Sequence, residues 1–165
     1  MISKDSVVDI LIVEDDPNDV KLAIYALKKG HVANAVHVAR DGAEALDYLL
    51  GDADEDGGKR VLPRVVFLDI KLPKVDGLEV LRRLRSDPRT TNLPVVMVTS
   101  SHEDRDIAAG YQYRANSYVV KPIDFAQFSQ AMSSLGMYWL LLNTPPGDAV
   151  VDAAGAVGDM LPVPG

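Results

Sequence analysis

The chain has 165 residues, a net charge of −7 and a pI near 4.8, with 47% hydrophobic and 25% charged residues. That length suffices for one domain with a real core, and the acidic balance leaves no broad basic field for nucleic acid. There is no cysteine, which excludes a disulfide framework and thiolate chemistry; no apolar run approaches the ~20 residues that span a bilayer; and the opening MISKDSVVD lacks the apolar stretch of a signal peptide. A cytoplasmic location with no membrane partner is expected.

The first strand is expected over Val8–Val13, an apolar run that ends in Glu14-Asp15-Asp16-Pro17. Asp16-Pro17 reads as an N-cap followed by proline at the first helical position, opening a helix at 17–29 that Gly30 stops. A second strand, Ala35–Ala39, precedes a helix at 42–50 with Asp41 as its cap. Gly51–Leu62 (GDADEDGGKRVL) is acidic, Gly-rich and too long for a tight connection, so a mobile loop is expected. The third strand, Val65–Leu68, ends at Asp69 and enters the turn Asp69-Ile70-Lys71-Leu72-Pro73 before a helix at 77–86. Arg82, Arg83 and Arg85 cluster on that helix and read as a solvated run. The fourth strand, Val95–Val98, ends in Thr99-Ser100-Ser101, with Ser101 as a cap for a helix at 103–114. The fifth, Ser117–Val120, ends in Lys121-Pro122. His31, His37 and His102 are scattered, with no ligand spacing.

A last helix is expected over 124–143, capped by Asp124. Its residues Phe125, Phe128, Met132, Leu135, Trp139 and Leu142 recur at alternating spacings of three and four. Such a seam is as readily core as interface. After Lys121, however, the chain has no Lys or Arg, and Met137, Tyr138, Leu140 and Leu141 make the end of the helix apolar almost all round. That favours a homodimer through the fifth helix, with Phe128, Met132, Leu135, Tyr138, Trp139, Leu141 and Leu142 in the interface. Thr144–Gly165 has four Pro, four Gly and no Lys, Arg or aromatic residue; a flexible tail over 144–165 is expected beside one domain over 1–143.

Five strands alternating with five helices argue for an α/β fold, a five-stranded parallel sheet with helices on both faces, doubly wound. Parallel sheets place ligands at the carboxyl ends of their strands. Here those ends deliver Glu14 and Asp15, Asp69, the Thr99 hydroxyl and the Lys121 ammonium. Several carboxylates in one crevice repel each other unless a cation sits among them. Glu14, Asp15 and Asp69 suit a hard divalent ion with oxygen ligands, and a set this sparse suits Mg²⁺. A phosphoryl group on or near Asp69 would then be met by the ion, by Lys121 and by Thr99.

In order along the chain, LIVEDD, VVFLDIKLPKVDGLEVL, VVMVTSS and ANSYVVKP resemble the receiver domain of two-component response regulators, over about Val8 to Asn143. The resemblance implies a flavodoxin-like (βα)5 receiver fold. It makes Asp69 the phosphoacceptor, Asp15 the acid in direct contact with Mg²⁺, Glu14 the acid acting through water, and the main-chain carbonyl of Lys71 the third protein ligand. It makes Thr99 the switch hydroxyl, Tyr118 the aromatic switch, Lys121 the cation on the phosphoryl group and Pro122 a cis-proline. Asp16, one residue past the acid pair, keeps a lesser role, and Gly77 sits where a helix starts close to the site. The implied protein is a stand-alone regulator that takes its phosphoryl group from a sensor histidine kinase. It is not an enzyme beyond self-catalysed phosphotransfer and autodephosphorylation. VEDDPNDV, KLPKVDGLEVLRRLR and LGMYWLLLN look like the small regulators paired with bacterial phytochromes and related hybrid sensors.

Three rival readings meet the same residues. An aspartyl phosphatase needs a second acid two residues after the nucleophile, where this chain has Lys71. A flavodoxin-type FMN module needs a Ser/Thr/Gly-rich phosphate loop after the first strand, where this chain has Glu14-Asp15-Asp16. A receiver-like interaction module working without phosphorylation is the remaining alternative.

Overall fold

In the structure, a computed structural model, the described residues are 8–29, 35–51, 62–100, 103–121 and 124–139. Five strands, β1 (Ile10–Val13), β2 (Val36–Ala39), β3 (Val65–Leu68), β4 (Val95–Thr99) and β5 (Ser117–Val120), alternate with five helices. These are α1 (Pro17–Lys29), α2 (Gly42–Leu50), α3 (Gly77–Ser86), α4 (Asp104–Gln112) and α5 (Phe125–Met137). The strands form one parallel sheet in the order β2-β1-β3-β4-β5, the doubly wound arrangement expected.

The three central strands are apolar on both faces because helices cover both. Successive side chains point to opposite faces, which sorts each strand into two cores. Leu11, Val13, Val66, Leu68, Val95 and Met97 meet α2 and α3 through Leu46, Leu49, Val80, Leu81 and Leu84. Ile10, Ile12, Val65, Phe67, Val96 and Val98 meet α1 and α5 through Ala23, Ala26, Leu27, Phe128 and Met132. At ~25 cal/mol per Å² of apolar surface removed from water, these two layers supply the main drive to fold.

The helix starts follow capping chemistry. The Asp16 carboxylate accepts from the backbone N–H of Asn18 (2.8 Å) and of Asp19 (3.4 Å), so Asp16 is an N-cap. Asp41 accepts from Glu44 N–H, and Asp124 from Ala126 N–H, both at 2.7 Å. Asp76 caps α3 by accepting from Glu79 N–H (3.0 Å), a cap not singled out in the sequence. Helix α4 starts later than expected, with Glu103 at the N-cap position and no side-chain capping bond; Ser101 lies outside the described residues, as do Gly30, Pro122 and the tail. Residues 52–61 of the long acidic loop lie outside them too.

Two expectations need correction. Phe128, Met132 and Trp139 are buried at 7%, 1% and 8% exposure in the chain's own core, with Leu135 packed against it. The seam is therefore the face by which α5 docks on the sheet and α1. Of the expected interface set, Tyr138 is exposed, and Leu141 and Leu142 lie outside the described residues. The arginine run is not uniformly solvated either. Arg82 and Arg83 pair with Glu79 on the exposed face, but Arg85 turns inward. It donates to the carbonyls of Leu93 (2.8 Å), Thr90 (3.2 Å), Thr91 (3.3 Å) and Arg114 (3.0 Å) and to Asn116 Oδ1 (3.0 Å).

Candidate phosphoryl and metal site

Register builds the site. Val13 pairs with Leu68, so Glu14 and Asp69 leave the sheet side by side, and Asp69 N–H donates to the Val13 carbonyl (3.1 Å). Thr99 pairs with Val120, and Lys121 N–H donates to the Thr99 carbonyl (2.8 Å). The side chain of Lys121 then crosses back over the strand ends. Its ammonium meets Glu14 Oε2 at 2.5 Å, Asp19 Oδ2 at 3.0 Å and Asp69 Oδ2 at 3.2 Å. The other Asp69 oxygen, Oδ1, accepts from Ile70 N–H (2.7 Å). Glu14 Oε1 accepts from Asp16 N–H (3.2 Å). A cavity of about 20 Å³ is lined by Glu14, Asp69 and Lys121 together with Phe67, Phe128 and Met132, room for about one water.

The loop after β3 is held tight. Gly77 N–H donates to the Ile70 carbonyl (2.7 Å), and a Cβ built on Gly77 would fall on the Asp69 carbonyl oxygen. Only glycine lets α3 start against the backbone that carries Asp69, as expected for position 77. Lys74, at φ 68°, takes the left-handed conformation that closes this turn. Lys71 is exposed within it.

Glu14, Asp15 and Asp69 each offer an oxygen within 4.8 Å of the others. Octahedral ligands on Mg²⁺ at ~2.1 Å stand no more than ~4.2 Å apart, so small side-chain rotations fit this set to the ion. Glu14 and Asp69 are buried while Asp15 is exposed, which leaves one side of the set open to water. Burial lifts the Glu14 carboxyl from its ordinary 4.5 to about 7; the hydrogen bond from Lys121 opposes that rise, and the neighbouring Asp69 charge adds to it. Burial alone would lower the Lys121 ammonium, but its hydrogen bond to Glu14 and the charges of Asp69 and Glu14 hold it above its ordinary value.

The sequence-derived residues thus largely converge. Glu14, Asp15, Asp69 and Lys121 form one cluster, and Thr99 is fully buried at the end of β4. Tyr118 is half-buried and packs against the α2–α3 core, next to Gly110 of α4. Asp19 was missed. Charged residues in helices are mostly solvent-facing, which hides such a residue. The available signal was the N-cap at Asp16, which aims the first turn of α1 at the strand ends.

Residues 10–133 match the family model described as the response regulator receiver domain. The chain is 39% identical to the probable methanogenesis regulatory protein FilR2 of Methanothrix harundinacea over 140 residues, covering 85% of this chain and 88% of that one. It is 31% identical to response regulator Rcp1 of Synechocystis over 137 residues, covering 83% and 92%, and the Mn²⁺-bound structure of Rcp1 superimposes with a TM-score of 0.75 over 85% of this chain and 99% of that one. The phosphorylated cyanobacterial phytochrome response regulator RcpA gives a TM-score of 0.76 at 34% identity, covering 85% and 99%. Fold, register and relatives agree: the chain belongs to the receiver-domain family of two-component response regulators, among homologues that include phytochrome-associated single-domain members.

Proposed function

We propose that Asp69 accepts a phosphoryl group from the phosphohistidine of a sensor histidine kinase, with Mg²⁺ held by Glu14, Asp15, Asp69 and the Lys71 carbonyl. The observation that carries this reading is the meeting of Asp69 and Lys121 at 3.2 Å inside a three-carboxylate group. A bound Mg²⁺ would neutralise the charge gathered on the transferring phosphoryl oxygens. The chain's own residues supply the rest. Ile70 N–H fixes one Asp69 oxygen and so orients the carboxylate for attack. Lys121 is placed to meet a phosphoryl oxygen, and Thr99 stands at the neighbouring strand end.

The same reading makes Thr99 and Tyr118 the switch. A phosphoryl group draws the Thr99 hydroxyl, and Tyr118 follows, reshaping the α4–β5–α5 face for a protein partner. In support, Gly110 is the only buried residue of α4, and its N-cap makes no side-chain bond, so this helix is lightly anchored. The relationship to RcpA favours a bacteriophytochrome or related hybrid sensor as the kinase. Homodimerisation through the end of α5 would rest on Tyr138 and the residues after Trp139.

Transfer of radiolabelled phosphate from a bacteriophytochrome kinase, with Mg²⁺ present, tests the reading. Label is expected on the wild type and not on Asp69→Asn. Unchanged label on Asp69→Asn would refute the assignment, and no label from kinases or small phosphodonors would leave a phosphorylation-independent module.

A further inference from the structure

An ammonium has three N–H donors, and those of Lys121 face Glu14, Asp19 and Asp69. A phosphoryl oxygen arriving beside Asp69 can be met by Lys121 only if one of these acceptors lets go. Glu14 and Asp69 side chains are 7% and 9% exposed, so bulk water does not replace the ammonium at either. The Asp19 side chain is 36% exposed, on the first turn of α1, where water can replace its partner. Asp19 also stands outside the Glu14–Asp15–Asp69 group that fits the ion.

We propose that Asp19 is a positioning residue that competes for the Lys121 ammonium, holding it in its resting place and yielding it when a phosphoryl group arrives. The inference rests on the reading of Asp69 as phosphoacceptor. In that reaction an Asp69 oxygen forms a bond to phosphorus as the donor's bond to phosphorus breaks: P–N in phosphohistidine, where the imidazole leaves with the electron pair, and P–O in acetyl phosphate, where acetate does. The competing ion pair stabilises the unphosphorylated state and so slows the step. An amide at position 19 keeps the shape but removes the carboxylate charge, and with it the Coulomb attraction to the ammonium.

The experiment measures initial labelling by acetyl phosphate with Mg²⁺, and separately the Kd for Mg²⁺ alone by titration calorimetry, on wild type, Asp19→Asn and Asp69→Asn. The expected result is labelling roughly two- to five-fold faster in Asp19→Asn, with the Mg²⁺ Kd within about twofold of wild type because Asp19 lies outside the ion group. An unchanged or slower rate would overturn the proposal. So would a faster rate accompanied by a Kd shifted several-fold, since that marks a general charge effect on the crevice. Labelling absent from the wild type, or retained by Asp69→Asn, would instead sink the phosphoacceptor reading on which the inference stands.

Discussion

At the carboxyl ends of the strands, Glu14, Asp19 and Asp69 share the ammonium of Lys121. At the amino ends of β4 and β5, the guanidinium of Arg85 is spread over neutral acceptors, the carbonyls of Leu93 and Arg114 and the side chain of Asn116. Asn116 also closes its own exchange with Val95, N–H to carbonyl and N–H to Oδ1, each at 2.8 Å. Thr90, fully buried, donates to the Leu84 carbonyl at 2.6 Å. One rim is satisfied by the chain alone. The other sets three carboxylates on one ammonium, and burial, with the Asp69 charge adding to it, holds Glu14 near 7. The amino rim secures the loops, whereas the carboxyl rim gathers carboxylates whose mutual repulsion a divalent ion would relieve. Residues of the first rim should therefore report on stability, and residues of the second on chemistry.

The largest effect is expected where the carboxyl rim meets its scaffold. Gly77→Ala places a methyl group on the Asp69 carbonyl oxygen and should cost about 3 kcal/mol or more in urea unfolding. A variant as stable as wild type would show that α3 does not need this close seat. Arg85→Ala comes next. It removes a half-buried guanidinium from its acceptors and should cost about 2 kcal/mol, a fall of roughly 4–8 °C in Tm. Labelling by acetyl phosphate should reach the same extent in the folded variant; loss of labelling would mean that the two rims are coupled.

Glu14 sharpens the contrast through pH. Its folded value of about 7 lies above its ordinary 4.5, so the folded state holds this proton more tightly than the unfolded state does. The stability it lends is full below about pH 4.5 and is lost as pH rises through about 7, by roughly 1–3 kcal/mol without metal. Glu14→Gln, which mimics the protonated acid, should lack this loss and exceed the wild type in stability at pH 8. Equal pH slopes for the two proteins would show that burial does not raise the Glu14 carboxyl. The smallest effect belongs to Tyr138→Glu, on an exposed side chain. Stability should change by less than ~0.5 kcal/mol, while sedimentation shifts toward monomer if α5 carries the dimer; an unchanged profile would remove Tyr138 from any interface.

The carboxyl rim was legible in the sequence because β1, β3 and β4 are short apolar runs whose first polar residue falls at the sheet edge, and β5 ends in Val119-Val120 just before Lys121. Glu14, Asp69, Thr99 and Lys121 all sit at such ends, and parallel pairing brings ends together. Thr99 itself joins β4, one residue beyond the expected boundary. Asp19, Asp76 and Arg85 were not legible in the same way. Each lies in or beside a helix, where a charged residue is the default on the solvent face, and only coordinates show which of them turns inward. The α5 seam illustrates the converse. Its spacing was readable, but an apolar stripe does not say what covers it, and here the chain's own sheet and α1 do. Residues 140–143, expected to continue that helix, lie outside the described residues.

The most direct test maps the phosphoryl group itself. The protein is incubated with acetyl phosphate and Mg²⁺, the acyl phosphate is reduced with borohydride, and the modified peptide is sequenced by mass spectrometry. The account predicts modification at Asp69. Modification at Asp15, Asp19 or any residue away from this rim would contradict it.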